Sequence, residues 1–107
     1  MNTVRARLSL PERLRAGEDF EVRLLLQHPM ESGQRVDANG RPVARDIVTE
    51  VEARLDGRRV WHARLNPAIA ANPYLAFWLR IDATAELEIL WRGDGGFAHR
   101  QSASLRL

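Results

Sequence analysis

The sequence has no cysteine among its 107 residues. That excludes disulfides, thiolate nucleophiles, thiolate zinc sites and any sulfur-carrying thiol on this chain. It leaves the compartment open, because a domain of this length needs no covalent staple in either redox environment. Lysine is missing too, so all 16 basic residues are arginine, and the sequence pI is near 10.3 although the formal net charge is only +2. Nor is there a block of like charge: Arg54 and Asp56, Arg80 and Asp82, and Arg92 and Asp94 alternate along the chain. A nucleic-acid binder needs a clustered basic footprint, so nucleic acid is not an expected partner. Long apolar runs are lacking as well. No uncharged stretch reaches the ~20 residues of a membrane-spanning helix. Met1–Leu10 has no uninterrupted apolar segment and no small-residue cleavage site, so it does not read as a signal peptide.

What is present is ordinary for a folded protein. Apolar residues make up 45% and charged residues 28%, far from the composition of a disordered chain. This length suits one domain, residues 1–107, burying about 65% of its unfolded surface.

The dominant pattern has a period of two. Val4, Ala6, Leu8 and Leu10 alternate with polar residues until Pro11 ends the run, as in a half-buried strand. Glu12–Glu18, with Ala16-Gly17, reads as a turn into a second strand carrying Phe20, Val22, Leu24 and Leu26. Ile47, Thr49, Val51, Ala53 and Leu55 form the apolar side of a third strand. Asp56-Gly57 suits the positive φ angles of a tight hairpin turn leading back through Arg58–Leu65. Leu75, Phe77, Leu79 and Ile81 mark a fifth strand, Leu87, Ile89 and Trp91 a sixth, and Gly93–Gly96 a hairpin loop into a last strand ending at Leu107. About seven short strands, with no long amphipathic helix and near-regular turns, predict an all-β, immunoglobulin-like antiparallel β-sandwich. Trp61 and Trp78 fall opposite the core phase on at least one reading of their strands. Each therefore either faces a partner or caps the sandwich edge.

Chemistry-bearing patterns are sparse. His28, His62 and His99 have no metal-ligand spacing, and each lies in or beside a different strand. Ser9, Ser32, Ser102 and Ser104 lack a strand–elbow–helix setting. Gly93–Gly96 opens no helix that would cradle a phosphate. Neither a catalytic group nor a cofactor is expected. Two loop segments exceed what a bare sandwich needs: Gln27-His28-Pro29-Met30-Glu31-Ser32-Gly33, and Leu65 to Tyr74 with Asn66-Pro67 and Asn72-Pro73. Proline-restricted loops lose little entropy on docking, which suits recognition. On composition alone Met30, Ile69 and Tyr74 would equally plug the ends of the sandwich.

These loops carry a resemblance. Gln27-His28-Pro29-Met30-Glu31-x-Gly33, then Asn39-Gly40-Arg41-Pro42-x-x-Arg45-Asp46-Ile47, then Pro67-Ala68-Ile69-Ala70-Ala71-Asn72-Pro73 together resemble the SoxZ family of bacterial thiosulfate oxidation, in that family's order. One departure stands at Arg92, where the family more often has an acidic residue after the tryptophan. The resemblance implies a partner, SoxY, whose Gly-Gly-Cys-Gly-Gly arm carries sulfur intermediates between Sox enzymes. It also implies a periplasmic location, reached by export with that signal-bearing partner. This sequence ends Ser104-Leu105-Arg106-Leu107 without such an arm, as expected of the SoxZ side of the pair.

The partner-binding residues expected on that basis are Gln27, His28, Pro29, Met30, Glu31, Arg45, Asp46, Asn66, Pro67, Ile69, Asn72, Pro73 and Tyr74. Arg45 and Asp46 serve either as polar contacts or as braces for the long loop. Two other functions compete: a generic immunoglobulin-like accessory module, and an enzyme that gathers His28, Asp46 and His62 or His99 around a metal.

Overall fold

The computed structural model describes residues 6–107. The expected start of the first strand at Val4, and the reading of Met1–Arg5, lie outside the described residues. Seven strands follow in order: β1 (Ala6–Ser9), β2 (Asp19–Leu26), β3 (Val48–Leu55), β4 (Arg58–Arg64), β5 (Tyr74–Arg80), β6 (Ala85–Gly93) and β7 (Ala98–Leu105). All pair antiparallel, in a three-stranded sheet of order β1-β2-β5 and a four-stranded sheet of order β4-β3-β6-β7. This is the immunoglobulin-like sandwich that the alternation predicts.

The inner faces supply one core. Val22, Leu24 and Leu26 of β2 and Leu87 and Ile89 of β6 are fully buried, joined by Val51 and Ala53 of β3 and Leu105 of β7. Each such aliphatic side chain contributes roughly 1.5–3 kcal/mol through removal from water. The Asp56-Gly57 turn has φ of 48° and 86°, as a two-residue hairpin requires.

The sequence pattern misplaces one stretch of β3. Ile47, Val48 and Val51 are all buried, whereas Thr49 is not, and the pairing with β6 shifts register between Val48 and Glu50. A β-bulge there inserts one residue and inverts the alternation on its N-terminal side. Thr49 instead turns its hydroxyl to the Arg92 carbonyl at 3.2 Å. The strict two-residue period from Ile47 to Leu55 thus holds only from Val51 onward.

Trp61 and Trp78 take different roles. Trp61, on edge strand β4, stacks on Phe77 of β5 with ring centroids 4.1 Å apart and 9° between planes. Because β4 and β5 are edge strands of opposite sheets, this contact closes one side of the sandwich. Trp78 points outward and is 63% exposed.

Candidate functional site

Antiparallel strands reverse direction at every step, so the loops β2–β3, β4–β5 and β6–β7 emerge at the same end of the sandwich. All of the resemblance-bearing segments therefore lie at that end, although up to 45 residues separate Gln27 from Asn72 in sequence.

Direct bonds tie these loops together. His28 donates its backbone N–H to Oδ1 of Asn72 at 3.0 Å, and its carbonyl accepts the Asn72 N–H at 2.7 Å. Asn72 has φ of 53°, a left-handed conformation that asparagine tolerates better than most residues. The Leu26 N–H reaches the carbonyl of buried Pro73 at 2.9 Å. Asn66 starts the same loop as a turn, its Oδ1 accepting the Ala68 N–H at 2.9 Å and its carbonyl the Ile69 N–H at 3.0 Å. Ile69 packs partly buried against the core, and Pro67 stays exposed.

His28 also shapes its own loop. Its Nδ1 accepts the backbone N–H of Met30 at 2.9 Å, which assigns the neutral ring's proton to Nε2. Nε2 faces Asp46 Oδ1 at 3.7 Å. Met30 adopts φ of 52° and is buried at 6% exposure, with its sulfur accepting the Val48 N–H at 3.2 Å. Gln27 and Pro29 on either side remain exposed.

The long β2–β3 connection is braced at its base and folded into a small hairpin at its tip. Glu31 and Asp46 exchange backbone bonds of 2.8 and 2.9 Å, and Arg35 grips the Glu31 carboxylate through both Nε and Nη2. Arg45 holds Asp94 with a pair of bonds of 2.9 and 2.8 Å. Asp94 further accepts the Ile47 N–H at 3.2 Å and donates its own to the Ile47 carbonyl at 3.1 Å. Beyond this base, residues 35–43 form a small hairpin in which Asp37 Oδ1 accepts the N–H groups of Asn39 and Arg41 at 2.8 and 3.0 Å. It projects into solvent and exposes Val36 at 56%. Of the two roles open to Arg45, the geometry displays bracing.

The electrostatics follow these contacts. Hydrogen bonding to the Arg45 guanidinium holds the Asp94 carboxyl below its ordinary value, with desolvation opposing and the Ile47 N–H assisting. Hydrogen bonding to Arg35 does the same for Glu31. A lowered folded pKa contributes stability that is complete above the unfolded value and lost as pH falls through the folded one. Arg45→Gln should therefore destabilise the protein at neutral pH, and its deficit against the unsubstituted chain should shrink as pH drops below about 4. Urea titrations from pH 7 to pH 2.5 check this; a deficit that grows toward acid would contradict it.

Beside the bracing lies a shelf of rings. His28 stacks on Phe97 and Phe97 on His99, each at 5.5 Å between centroids, and His99 contacts Trp91 at 5.9 Å. With Gln27 and Asp46 they border an open cavity of about 300 Å³. His62 lies elsewhere, on β4 opposite Glu52 of β3. Among the described residues no group of three or more His, Asp or Glu side chains converges as metal ligands would. The Phe97 ring stands between His28 and His99.

The sequence residues thus collect at one end, with one exception: Tyr74, 60% exposed, opens β5 and turns onto the outer face of the three-stranded sheet. Asp94 and Phe97 escaped sequence reading. Their partners Arg45 and His28 lie 49 and 69 residues away in the chain, and neither residue type signals a brace by itself.

The model of the family described as Sulphur oxidation protein SoxZ matches residues 7–104. The chain belongs to the SoxZ family. No curated protein matches it. Among solved structures, this SoxZ family member is similar to the superoxide reductase (neelaredoxin) of Ignicoccus hospitalis, at 16% identity and TM-score 0.71, covering 94% of this chain and 78% of that one. It is also similar to the sulfur carrier protein SoxY of Chlorobium limicola f thiosulfatophilum, at 14% identity and TM-score 0.70, covering 98% of this chain and 76% of the other. A putative superoxide reductase of Thermotoga maritima follows at 11% identity and TM-score 0.70, covering 94% and 83%. At these identities the likeness is one of fold. Among the described residues, no helix is long and apolar enough to cross a membrane.

Proposed function

We propose that this chain, folding as one domain over residues 1–107, is the non-catalytic subunit that pairs with SoxY. Together they form the periplasmic carrier complex for covalently bound sulfur intermediates of thiosulfate oxidation, and SoxY provides both the export signal and the reactive thiol. Family membership over residues 7–104 supports the assignment to sulfur oxidation.

The observation that carries the pairing is the state of the loop end. Its internal polar groups are engaged with one another: His28 with Asn72 and Met30, Glu31 with Asp46 and Arg35, and Arg45 with Asp94. Exposed Gln27 and Pro29 flank His28 in that network, and exposed Asn66 and Pro67 open the loop that carries Asn72. A surface ordered before contact avoids about 0.5–1.5 kcal/mol of ordering cost per immobilised side chain. The absence of cysteine leaves the covalent step to the partner.

Co-expression with the SoxY of the same genome tests the reading. The expected result is stoichiometric co-elution, with thiosulfate oxidation by the remaining Sox enzymes requiring both chains. Persistence of this chain as a monomer beside SoxY, or turnover of thiosulfate by this chain alone, would reject it.

A further inference from the structure

The outer face of the four-stranded sheet carries charge in rows that cross the strands. Nearest the loop end stand Arg64, Glu50 and Arg92, on β4, β3 and β6. The next row holds His62, Glu52, Leu90 and Arg100, and the third Arg59, Arg54 and Glu88. Every carboxylate in these rows is taken by an arginine. Glu50 accepts from Arg92 at 2.7 Å and faces Arg64 at 3.9 Å. Glu52 lies 3.3 Å from Arg54 and 3.8 Å from Arg92, and Glu88 lies 3.3 Å from Arg100. Hydrogen bonding to Arg92 holds the Glu50 carboxyl below its ordinary value, with desolvation opposing and the charges of Arg64 and Arg59 assisting.

The two signs of charge do not sit at the same height. The glutamate side chains of these pairs are 11–39% exposed and the arginine side chains 39–85%. The carboxylates thus lie against the sheet, and the guanidiniums spread over them into solvent. Five guanidiniums, of Arg54, Arg59, Arg64, Arg92 and Arg100, over three carboxylates leave an excess of two positive charges, as many as the formal net charge of +2 on the entire chain. A guanidinium carries five N–H donors in a rigid fork, so a bond to one carboxylate leaves most of them for a second acceptor. Isolated surface ion pairs add little to stability, and three rows of them on one face exceed what folding requires.

Resting on the carrier role proposed above, we infer that this arginine-topped face is a docking platform for an acidic surface on an enzyme that works on the carried sulfur. With no cysteine of its own, the chain leaves reactions of the cargo to other proteins, which must find and release the complex repeatedly. The chemistry of the face selects such an occupant. Its surplus donors and its charge complement carboxylates, whereas a second copy of this chain would oppose arginine with arginine. Nucleic acid fits less well, because its phosphates would meet three carboxylates just beneath the guanidiniums, and its binders typically neutralise about 6–10 phosphates. The three rows cover about 300 Å² in flat projection, well below the ~800 Å² that each partner gives to a standard stable interface. A face of that size and charge makes contacts that form fast under electrostatic steering, weaken in salt and separate quickly.

The test measures thiosulfate oxidation by the remaining Sox enzymes while the concentration of the complex of this chain with its SoxY is varied, at about 20 mM and about 500 mM salt. The unsubstituted complex should lose kcat/KM by about 10-fold between the two salts, and salt-independence would overturn the proposal. Arg64→Glu combined with Arg100→Glu should lower kcat/KM by about 10-fold at low salt, keep kcat at saturation, and match the parent at high salt. Both side chains are exposed, so this variant should still co-elute with SoxY and keep its thermal midpoint within a few degrees. Lysine at both positions should restore the parent rate, and Arg106→Glu, beyond the end of β7, should leave it unchanged. Parent-like kcat/KM for the double glutamate variant at low salt overturns the platform and leaves the carrier role standing, and so does an equal loss at both salts. An unsubstituted complex that supports no thiosulfate oxidation overturns both. Low-salt binding of a short DNA duplex that the glutamates abolish, with turnover unaffected, overturns an acidic protein as the occupant.

Discussion

Replacement of Gly93 by alanine is expected to lower stability by about 3 kcal/mol, near the upper end for overpacked sites. The reason is steric and not conformational, since Gly93 has an extended backbone with φ of −162° that any residue adopts. A Cβ at this position would land on the carbonyl oxygen of Ile47 and within 2.6–2.7 Å of the Phe97 ring. Neither neighbour yields readily. Ile47 is buried at 1% exposure, donates its N–H to the Asp94 carboxylate, accepts the Asp94 N–H at its carbonyl, and precedes the bulge of β3. Phe97 is stacked between His28 and His99. For a chain of this size the loss amounts to a fall of roughly 12–24 °C in thermal midpoint. The damage should centre on the loop end, so hydrogen exchange at the Ile47 and Met30 amides should quicken before exchange in β2. A midpoint within 2–3 °C of the parent would show that the strand relaxes away from the added methyl.

Phe77→Ala should cost about 3–5 kcal/mol, from lost transfer free energy and the cavity left behind. Phe77 is 5% exposed and lies between the two sheets, face to face with Trp61 at 4.1 Å. Removing it opens the side of the sandwich where edge strands β4 and β5 meet. Domains of this kind are stable by only ~5–15 kcal/mol, so the variant should approach unfolding at 37 °C. Its urea midpoint should fall by about 2–3 M. Tryptophan emission should shift to longer wavelength even where the chain remains folded, because Trp61 gains solvent. An unshifted spectrum with a small stability loss would mean that Trp61 collapses into the space.

The strands were legible in the sequence because a sheet with one buried face imposes a period of two on the chain. Val22, Leu24 and Leu26, or Leu87, Ile89 and Trp91, record that period without interruption. Where the backbone breaks the period, the pattern misleads. The bulge at Thr49 places Val48 inside, and nothing in the string Ile47-Val48-Thr49 marks which residue is extra. Trp61 and Trp78 illustrate a second limit. Both are large aromatics on edge strands, and only the position of the opposite sheet makes one a cap on Phe77 and the other a surface residue.

The candidate site was legible as loops and illegible as a network. Proline and asparagine at His28-Pro29, Asn66-Pro67 and Asn72-Pro73 mark restricted segments. The bonds that unite them, His28 with Asn72 and Arg45 with Asp94, span 44 and 49 residues. No local pattern encodes such a pairing.

By itself, the sequence determined that this chain carries no thiol, builds a β-sandwich and holds stiffened loops between its strands, because residue chemistry and side-chain period are local properties. Tertiary structure alone decided that three of those loops share one end, that Asp94 and Phe97 brace them, and that Tyr74 and Trp78 lie on one exposed face. Such adjacencies arise from strand direction and sheet packing, which act between residues far apart in the chain.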